Sequence, residues 1–345
     1  MPEPLLSVRD LAVEFSTEDG VVHAVNGVSY DVFPGETVGV VGESGSGKSV
    51  SVMSLLGLIP QPPGRIVSGS ATFEGRDLIS MSSKELRAVR GGDVAMIFQD
   101  PMTSLNPVLR IGEQLGETIA VHQPSLKRDQ VRQRVVDLLE LVGVPNPEQR
   151  YRQYPHEFSG GMRQRAMIAM AIANEPKLLI ADEPTTALDV TIQAQIIEVL
   201  KAAQEETHAA TILITHDLGL VAELCDRVLV MYAGRVVEAG DVYTIFSSPR
   251  HPYTVGLMQS LPRLDGDNDW LRPIAGQPPS LLNMPPGCPF HPRCFLAQGR
   301  NTCRSVVPDL RPVDDSQHLS RCHYAEELHG HGAATTAAGV GEGVT

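Results

Sequence analysis

One glycine-rich run in the sequence has the residue types and the spacing that bind phosphate. It reads GESGSGKS over residues 42–49 and matches Gly-x4-Gly-Lys-Ser, between an apolar segment and a helix-like segment. Glycines let backbone N–H groups close around phosphate oxygens, and the N-terminus of the following helix adds a favourable partial charge. Lys48 can then reach the β- and γ-phosphates, and Ser49 can offer a hydroxyl to Mg²⁺. The residues expected to bind ATP here are Gly42, Ser44, Gly45, Gly47, Lys48 and Ser49.

A pair of carboxylates offers the second half of a hydrolytic site. The stretch LLIADEP, residues 178–184, is an apolar run that ends in Asp182 and Glu183. We expect Asp182 to lie beside the metal and Glu183 to polarise an attacking water. Two adjacent carboxylates can also be a solvated turn, but a phosphate loop in the same chain favours the catalytic interpretation.

Strands and helices alternate around these motifs. ETVGVV, DVAMIF, PKLLIAD and ATILIT are short apolar runs typical of buried parallel strands, and TIQAQIIEVLKAAQEET between the last two has helical spacing. Residues 1–34 alternate apolar and polar side chains, which is typical of strands, and the pattern is helical from about 110 to 175. The sequence therefore predicts an α/β fold with phosphate chemistry at the carboxyl ends of its strands.

The end of the chain differs from this core. Beyond residue 247 the periodicity fades and proline becomes dense, which predicts a separate, loop-rich extension. The last residues, HGHGAATTAAGVGEGVT, have low complexity and are expected to be disordered.

Composition limits the classes of function. The chain has 28 Lys and Arg against 41 Asp and Glu, a formal net charge of −13, which disfavours nucleic acid as the main ligand. No run of 18 apolar residues and no secretory signal is visible in the sequence. We therefore expect a cytosolic protein whose thiols stay reduced, so that a group of cysteines more often means metal than disulfide.

Four of the five cysteines lie in the extension, spaced Cys-x5-Cys-x8-Cys-x18-Cys. Structural zinc favours close pairs of ligands, which this spacing lacks, so a larger iron–sulfur cluster is favoured. Zinc, with His291 or His323 as a further ligand, and free or disulfide-paired thiols remain alternatives. Cys225 lies in a helix-like segment and is interpreted as an ordinary buried thiol. The candidate cluster ligands are Cys288, Cys294, Cys303 and Cys322.

The stretch FSGGMRQR, residues 158–165, resembles the signature of the ATP-binding subunits of ABC transporters, and the resemblance extends over the first 245 residues. Met162 stands where glutamine is commoner in that family. The resemblance implies a P-loop ABC-type ATPase core over residues 1–247, with a helical subdomain at about 100–175. It also implies that Ser159, Gly160 and Gly161 bind the γ-phosphate held by the opposite subunit of a head-to-tail dimer.

The same resemblance assigns the remaining site residues. Gln99 would contact Mg²⁺ or water and link the site to a membrane partner, and Asp189 would cross the dimer interface. His216 would contact the γ-phosphate and hold the catalytic geometry, beside Glu183 as general base. Phe15 resembles the aromatic residue that stacks on adenine, although it can equally belong to the core.

The segments HPYT and GCPFHPRC resemble the C-terminal extension of dipeptide and oligopeptide importers, here residues 248–325, with a tail at 326–345. Similar extensions are associated with a [4Fe–4S] cluster. The resemblance implies a second, non-identical ATPase subunit, two transmembrane permease subunits and an extracytoplasmic peptide-binding protein. It places the chain peripherally on the cytoplasmic side of the cell membrane. Nickel or oligosaccharide import, and a soluble ABC ATPase without membrane partners, remain alternatives.

Overall fold

The fold was analysed in a computed structural model of the chain, which describes residues 3–186, 188–260, 273–313 and 317–328. The strands and helices predicted around the glycine-rich run and the carboxylate pair are all present in it. The sequence predicted a disordered tail at 326–345. Residues 329–345 of this tail lie outside the described residues. Residues Ala325–Leu328 form a short 3-10 helix in which Leu328 is buried.

The strands, in chain order, are numbered β1 to β12. Their bounds are β1 Leu6–Thr17, β2 Gly20–Val32, β3 Thr37–Val41, β4 Gly64–Phe73, β5 Arg76–Asp77, β6 Val94–Ile97, β7 Leu178–Asp182, β8 Ala210–Thr215, β9 Arg227–Tyr232, β10 Arg235–Asp241, β11 Arg311–Pro312 and β12 Leu319–Ser320.

The α-helices are numbered in the same way. Their bounds are α1 Lys48–Leu55, α2 Ser83–Val89, α3 Pro101–Ser104, α4 Ile111–His122, α5 Arg128–Leu141, α6 Pro147–Arg150, α7 Gly160–Ile172, α8 Val190–Thr207, α9 Leu218–Leu224, α10 Val242–Ser247, α11 Pro252–Gln259 and α12 Asn301–Ser305. Further 3-10 turns occupy Leu78–Ser80, Pro155–Glu157, His291–Arg293 and Phe295–Ala297.

The central sheet has the strand order β11-β12-β10-β9-β3-β8-β7-β6. The pairs β9–β3, β3–β8, β8–β7 and β7–β6 are parallel. Strands β3, β7 and β8 are buried along their whole length, which explains why they read as continuous apolar runs and not as alternating ones. Because these strands run in the same direction, the residues that follow them meet at one edge of the sheet.

A second, antiparallel sheet has the order β2-β1-β4-β5. It accounts for the alternating pattern of the first 34 residues, since β1 and β2 form a hairpin that joins Thr17 to Gly20. Its apolar face packs against α1 and the central sheet in a core that includes Val13, Val38 and Val52. This sheet therefore supports the helix that follows the glycine-rich run.

Helices α3 to α7 form a helical unit between β6 and β7. Apolar residues of α4, α5 and α7, such as Leu115, Leu139 and Ile168, are fully buried in one core with the central sheet. The helical spacing read between about 110 and 175 corresponds to these faces. Gln99 lies just before α3, the first helix of this unit, and Ser159 lies directly before α7, its last helix.

The extension joins the central sheet. Strand β12 pairs antiparallel with β10, and Ser320 lies opposite Glu238. The Glu238 carboxylate is completely buried and accepts hydrogen bonds from the backbone N–H groups of Arg250 and His251. His318 Nε2 lies 2.7 Å from the same carboxylate. A buried carboxylate is stable only when partners surround it, so these contacts fix the path of the chain beyond β10.

Candidate nucleotide-binding site

The loop between β3 and α1 has a backbone that requires glycine at two positions. Gly42 has φ +153°, and a Cβ there would lie 2.2 Å from the carbonyl oxygen of Met231. Gly47 has φ +96°, and its Cβ would lie 2.3 Å from the carbonyl oxygen of Ala24. No side chain fits in either place, so the loop curls tightly around the start of α1 and leaves a cradle for phosphate. Ser44 and Gly45 are exposed at its mouth.

Lys48 is buried, with 5% of its surface exposed, and its ammonium group already occupies the loop. Its Nζ donates to the carbonyl oxygens of Gly42, at 2.8 Å, and Glu43, at 3.0 Å. Burial lowers the pKa of Lys48, and the negative charges of Glu183, Asp182 and Glu43 oppose that shift. The ammonium is therefore held in the cradle by carbonyls and carboxylates, in position to meet an anionic ligand.

The expected metal ligands lie together. Ser49 Oγ donates to Asp182 Oδ1 at 2.8 Å, across a sequence separation of 133 residues. Burial raises the pKa of Asp182, and the hydrogen bond from Ser49 opposes that shift. A hydroxyl and a carboxylate are oxygen ligands of the kind that Mg²⁺ prefers. This donor set fits a magnesium ion beside the phosphate cradle.

Glu183 is the centre of a cluster at the carboxyl end of β7. Its backbone has φ +46°, an uncommon conformation for a residue with a side chain, directly after β7 ends at Asp182. Glu183 Oε2 accepts hydrogen bonds from Gln99 Nε2, at 2.9 Å, and Thr186 Oγ1, at 2.8 Å. His216 Nδ1 lies 3.7 Å from the same oxygen. The structure thus brings Gln99, Glu183 and His216 together, although 84 residues separate the first two.

The signature residues lie at the start of α7. Ser159 caps the helix, its Oγ accepting from the N–H of Met162 at 3.3 Å, and Gly160 and Gly161 form the first turn. Ser159 and Gly160 are exposed. In the described part of the chain, the polar contacts of the Ser159 side chain stay within this turn. The first N–H groups of an α-helix have no acceptor within the helix, so this exposed turn offers hydrogen-bond donors to a ligand.

Two expected residues lie farther from this cluster. Asp189 is exposed and caps α8, accepting from the N–H of Ile192 at 3.0 Å. Phe15 lies in β1, is half-buried, and packs partly against the core that contains α1. Phe15 can therefore belong to the core, which its ring contacts, and can also stack on adenine with the part of the ring that is exposed.

The four cysteines of the extension are free thiols, and they lie close enough to influence one another electrostatically. The pKa of Cys288 is raised to about 11 and that of Cys322 to about 12, mainly by burial and in part by the neighbouring thiols. Across the described residues, however, no group of three or more His, Cys, Asp or Glu side chains is arranged to hold a metal ion. The donor chemistry suits an iron–sulfur cluster, but the expected ligand arrangement is not formed. Cys225 is buried, as expected, and burial raises its pKa to about 12.

Two contacts of the site were not predicted. The first is the hydrogen bond from the Thr186 hydroxyl to Glu183, three residues earlier. A turn can bring residues at that spacing into contact, but the sequence pattern alone did not single out Thr186. The other is a pair of hydrogen bonds between Arg293 of the extension and Glu43 of the phosphate loop, 250 residues apart in sequence. No local pattern indicates a contact at that separation.

Comparison with known proteins agrees with this geometry. Residues 25–186 match a family described as ABC transporter, and residues 237–303 match one described as the C-terminal region of oligopeptide and dipeptide transporters. The dipeptide transport ATP-binding protein DppD of Bacillus subtilis is 55% identical over 329 residues, which cover 95% of this chain and 97% of that protein. The chain belongs to the family of dipeptide and oligopeptide transport ATP-binding proteins. It is accordingly an ABC-type ATPase.

Other members of this family are similarly close. DppD of Escherichia coli is 53% identical over 93% of this chain and 96% of its own length. The oligopeptide transport ATP-binding protein OppD of Mycobacterium tuberculosis is 51% identical over 96% of this chain, which spans 53% of that longer protein. The prediction of this family from the signature and the extension is therefore confirmed.

Solved structures support the fold. The dimeric ATP-binding cassette MJ0796 bound to ADP and Pi matches with a TM-score of 0.62 and 24% identity, over 69% of this chain and 98% of that chain. CbiO1 of Clostridium perfringens, part of the ABC transporter complex cbiONQ, matches with a TM-score of 0.59 and 30% identity, over 71% of this chain and 91% of its own. The predicted α/β ABC-type core is confirmed. No helix among the residues that the structure describes is long and apolar enough to cross a membrane.

Proposed function

We propose that this chain hydrolyses ATP to drive the import of dipeptides or oligopeptides through a membrane transporter, from the cytoplasmic face of the cell membrane. The observation that carries the proposal is the 55% identity to a dipeptide transport ATP-binding protein across nearly the whole of both chains. The match of residues 237–303 to the C-terminal region of such transporters supports the choice of peptide over nickel or oligosaccharide.

The site residues have distinct tasks in this reaction. Lys48 and the N–H groups of the loop bind the β- and γ-phosphates, and Ser49 and Asp182 would hold Mg²⁺, which when bound neutralises charge on the phosphates. Glu183 accepts a proton from the attacking water as the water oxygen bonds to the γ-phosphorus and the bond to ADP breaks. Gln99 and Thr186 donate to Oε2 of Glu183 and so orient the carboxylate that would receive this proton.

We propose that the site is completed by a second ATPase subunit, arranged head to tail and different from this chain. The exposed N-terminus of α7 supports this arrangement, because Ser159, Gly160 and the buried Gly161 are suited to bind an anion that this chain does not itself supply. Asp189 and the 81% exposed Val190 lie at the start of α8 and would contact that partner. Two permease subunits and an extracytoplasmic peptide-binding protein would complete the transporter.

We expect a strain that lacks this chain to lose growth on a dipeptide that supplies an essential amino acid. Wild-type chain should restore growth and uptake of the labelled dipeptide, and the Glu183→Gln variant should restore neither. Growth on the free amino acid is the control, since it does not need the peptide transporter. Normal dipeptide uptake without this chain, together with lost uptake of nickel or of an oligosaccharide, would instead assign one of those cargoes.

We also propose that Cys288, Cys294, Cys303 and Cys322 ligate one [4Fe–4S] cluster in the extension, which we place at residues 248–325 beyond an ATP-binding domain of residues 1–247. Cys288 and Cys322 lie close enough to Cys294 and Cys303 to be affected by the charge of their thiols, and this proximity supports the proposal. The thiols would have to move together, because none of the described groups is yet arranged to hold a metal ion. No step of ATP hydrolysis passes through these residues.

Anaerobically purified chain is expected to be brown, to absorb broadly near ~400 nm and to contain about four irons. Replacing Cys294 with Ser should remove the iron and make the extension more sensitive to protease, because the four ligands act together. Cys225→Ser is the matched control and should keep the iron, since Cys225 is buried in the ATPase core. If the purified chain contained stoichiometric zinc and no iron, the proposed cluster would be wrong and the four cysteines would be assigned to a structural zinc site.

A further inference from the structure

Arg293 connects the cysteine-containing extension to the phosphate loop. It ends the short turn His291–Arg293, directly before Cys294, and its side chain is 5% exposed. The guanidinium donates to both oxygens of the Glu43 carboxylate, from Nη1 at 2.7 Å and from Nη2 at 2.9 Å. Such a two-bonded arginine–carboxylate pair has a fixed geometry. Glu43 is the second residue of the phosphate loop.

Arg293 is itself fixed to the extension. Its Nε donates to the carbonyl oxygen of Ala275 at 3.0 Å, and Nη2 also donates to that of Ile274 at 3.3 Å. The guanidinium carbon lies 5.8 Å from the ring centre of Tyr232 and 5.9 Å from that of Phe290. These contacts restrain the Arg293 side chain on several sides. Its guanidinium is therefore held in one position relative to Glu43.

Every polar group of Glu43 has a partner. Its N–H donates to the hydroxyl of Tyr253 at 2.7 Å, its carbonyl accepts from Lys48 Nζ at 3.0 Å, and its carboxylate is held by Arg293. Tyr253 packs against Tyr232 and Phe290, with ring centres 4.6 and 5.5 Å apart. Glu43, whose carbonyl contacts Lys48, is thus positioned by Tyr253 and Arg293, which both lie beyond residue 247 in the sequence.

The charge of Glu43 would oppose ATP if it were left alone. Its carboxylate acts on Lys48, the residue that meets the phosphates, as one of the negative charges around that ammonium. A half-buried carboxylate beside a bound triphosphate would repel it. The positive charge of Arg293 removes that repulsion.

We propose that the extension sets the affinity of this chain for ATP through Arg293, a positioning residue that neutralises and fixes Glu43 in the phosphate loop. The proposal rests on the ATP site described above and concerns its regulation. A change of structure around Cys294 would be transmitted to the loop, because Arg293, the residue directly before Cys294, holds Glu43.

The test is a double-mutant cycle on the full chain, with the Kd for ATP as the readout. Arg293→Met should raise Kd by about tenfold, within the range of measured couplings between contacting residues. In the Glu43→Gln background the same change should alter Kd by less than about twofold, because the charge that Arg293 neutralises is absent. The rise should shrink as salt increases, which a purely structural role does not predict.

Arg311→Met is the matched control. Arg311 pairs with Glu326 at 2.7 Å in the same extension, but that pair is away from the loop, so Kd should stay at the wild-type value. Arg293→Lys keeps the charge and loses the two-bonded geometry, so an intermediate Kd is expected and is measurable even if Arg293→Met folds poorly. An equal rise in Kd in both Glu43 backgrounds, or an unchanged Kd in Arg293→Met, would overturn the proposal. Failure of the wild-type chain to bind ATP would instead overturn the ATP site.

Discussion

Replacing Glu183 with Gln is expected to slow ATP turnover by about 10²–10⁴, the usual contribution of general-base assistance, while ATP binding is kept. Glutamine has nearly the same size, and its amide oxygen can still accept the hydrogen bonds from Gln99 and Thr186. It cannot accept the proton of the attacking water. Phosphate release and nucleotide binding, measured on the same preparation of the assembled transporter, separate the two effects.

Glu175→Gln provides a matched control for this variant. Glu175 is also a glutamate with a left-handed backbone, φ +54° against +46° for Glu183, but its exposed side chain pairs with Arg134 away from the site. We expect its turnover to equal that of the wild type. Near-normal turnover in Glu183→Gln would show that Glu183 is not the general base. If both variants were unstable, the loss of activity would be attributed to the left-handed backbone at these positions and not to the loss of a proton acceptor.

The second large effect is expected at Lys48. Lys48→Met should weaken ATP binding by between about 30-fold and a few thousand-fold, because truncating one member of a buried charge pair commonly costs about 2–5 kcal/mol. Methionine retains the length and the apolar stem but offers no charge to the β- and γ-phosphates. Equilibrium binding of ATP to the purified chain measures the loss directly.

Lys177→Met is the control for this change. Lys177 is half exposed and pairs with Glu74 at 2.7 Å, outside the phosphate loop. Its replacement should leave ATP binding at the wild-type level, since surface ion pairs contribute little and this one does not contact the cradle. Equal binding by the Lys48 and Lys177 variants would mean that the loop around Gly42 and Gly47 does not receive the phosphates.

The parts of the site that the sequence predicted are those set by local pattern. A buried apolar strand, a glycine turn and a helix follow one another within 20 residues, so β3, the loop and α1 could be placed from the spacing alone. Asp182 and Glu183 were found in the same way, since parallel strands deliver their last residues to one edge. The roles of Gln99, His216 and Ser159 came from resemblance to a family, because a single polar residue at a strand end has no distinctive local pattern.

The contacts that were missed depend on residues far apart in the sequence. Strand β12 is two residues long and its pairing with β10 crosses about 80 positions, so no periodicity could reveal it. The link between Arg293 and Glu43 is of the same kind. Long-range pairs of charged residues are specified by the packing of whole elements, and the sequence around one partner contains nothing that points to the other.

The pairing of β12 with β10 also bears on where this protein can be divided. A fragment that stops at Ser247, where α10 ends, would leave β10 as an unprotected edge strand with unpaired backbone groups. It would also uncover the Glu238 carboxylate, which now has no contact with water. Such a fragment would carry every residue of the phosphate cradle and still be prone to aggregate. In folding terms the ATPase sheet includes a strand from the extension, so it is fully paired only after residues 319–320 have been synthesised.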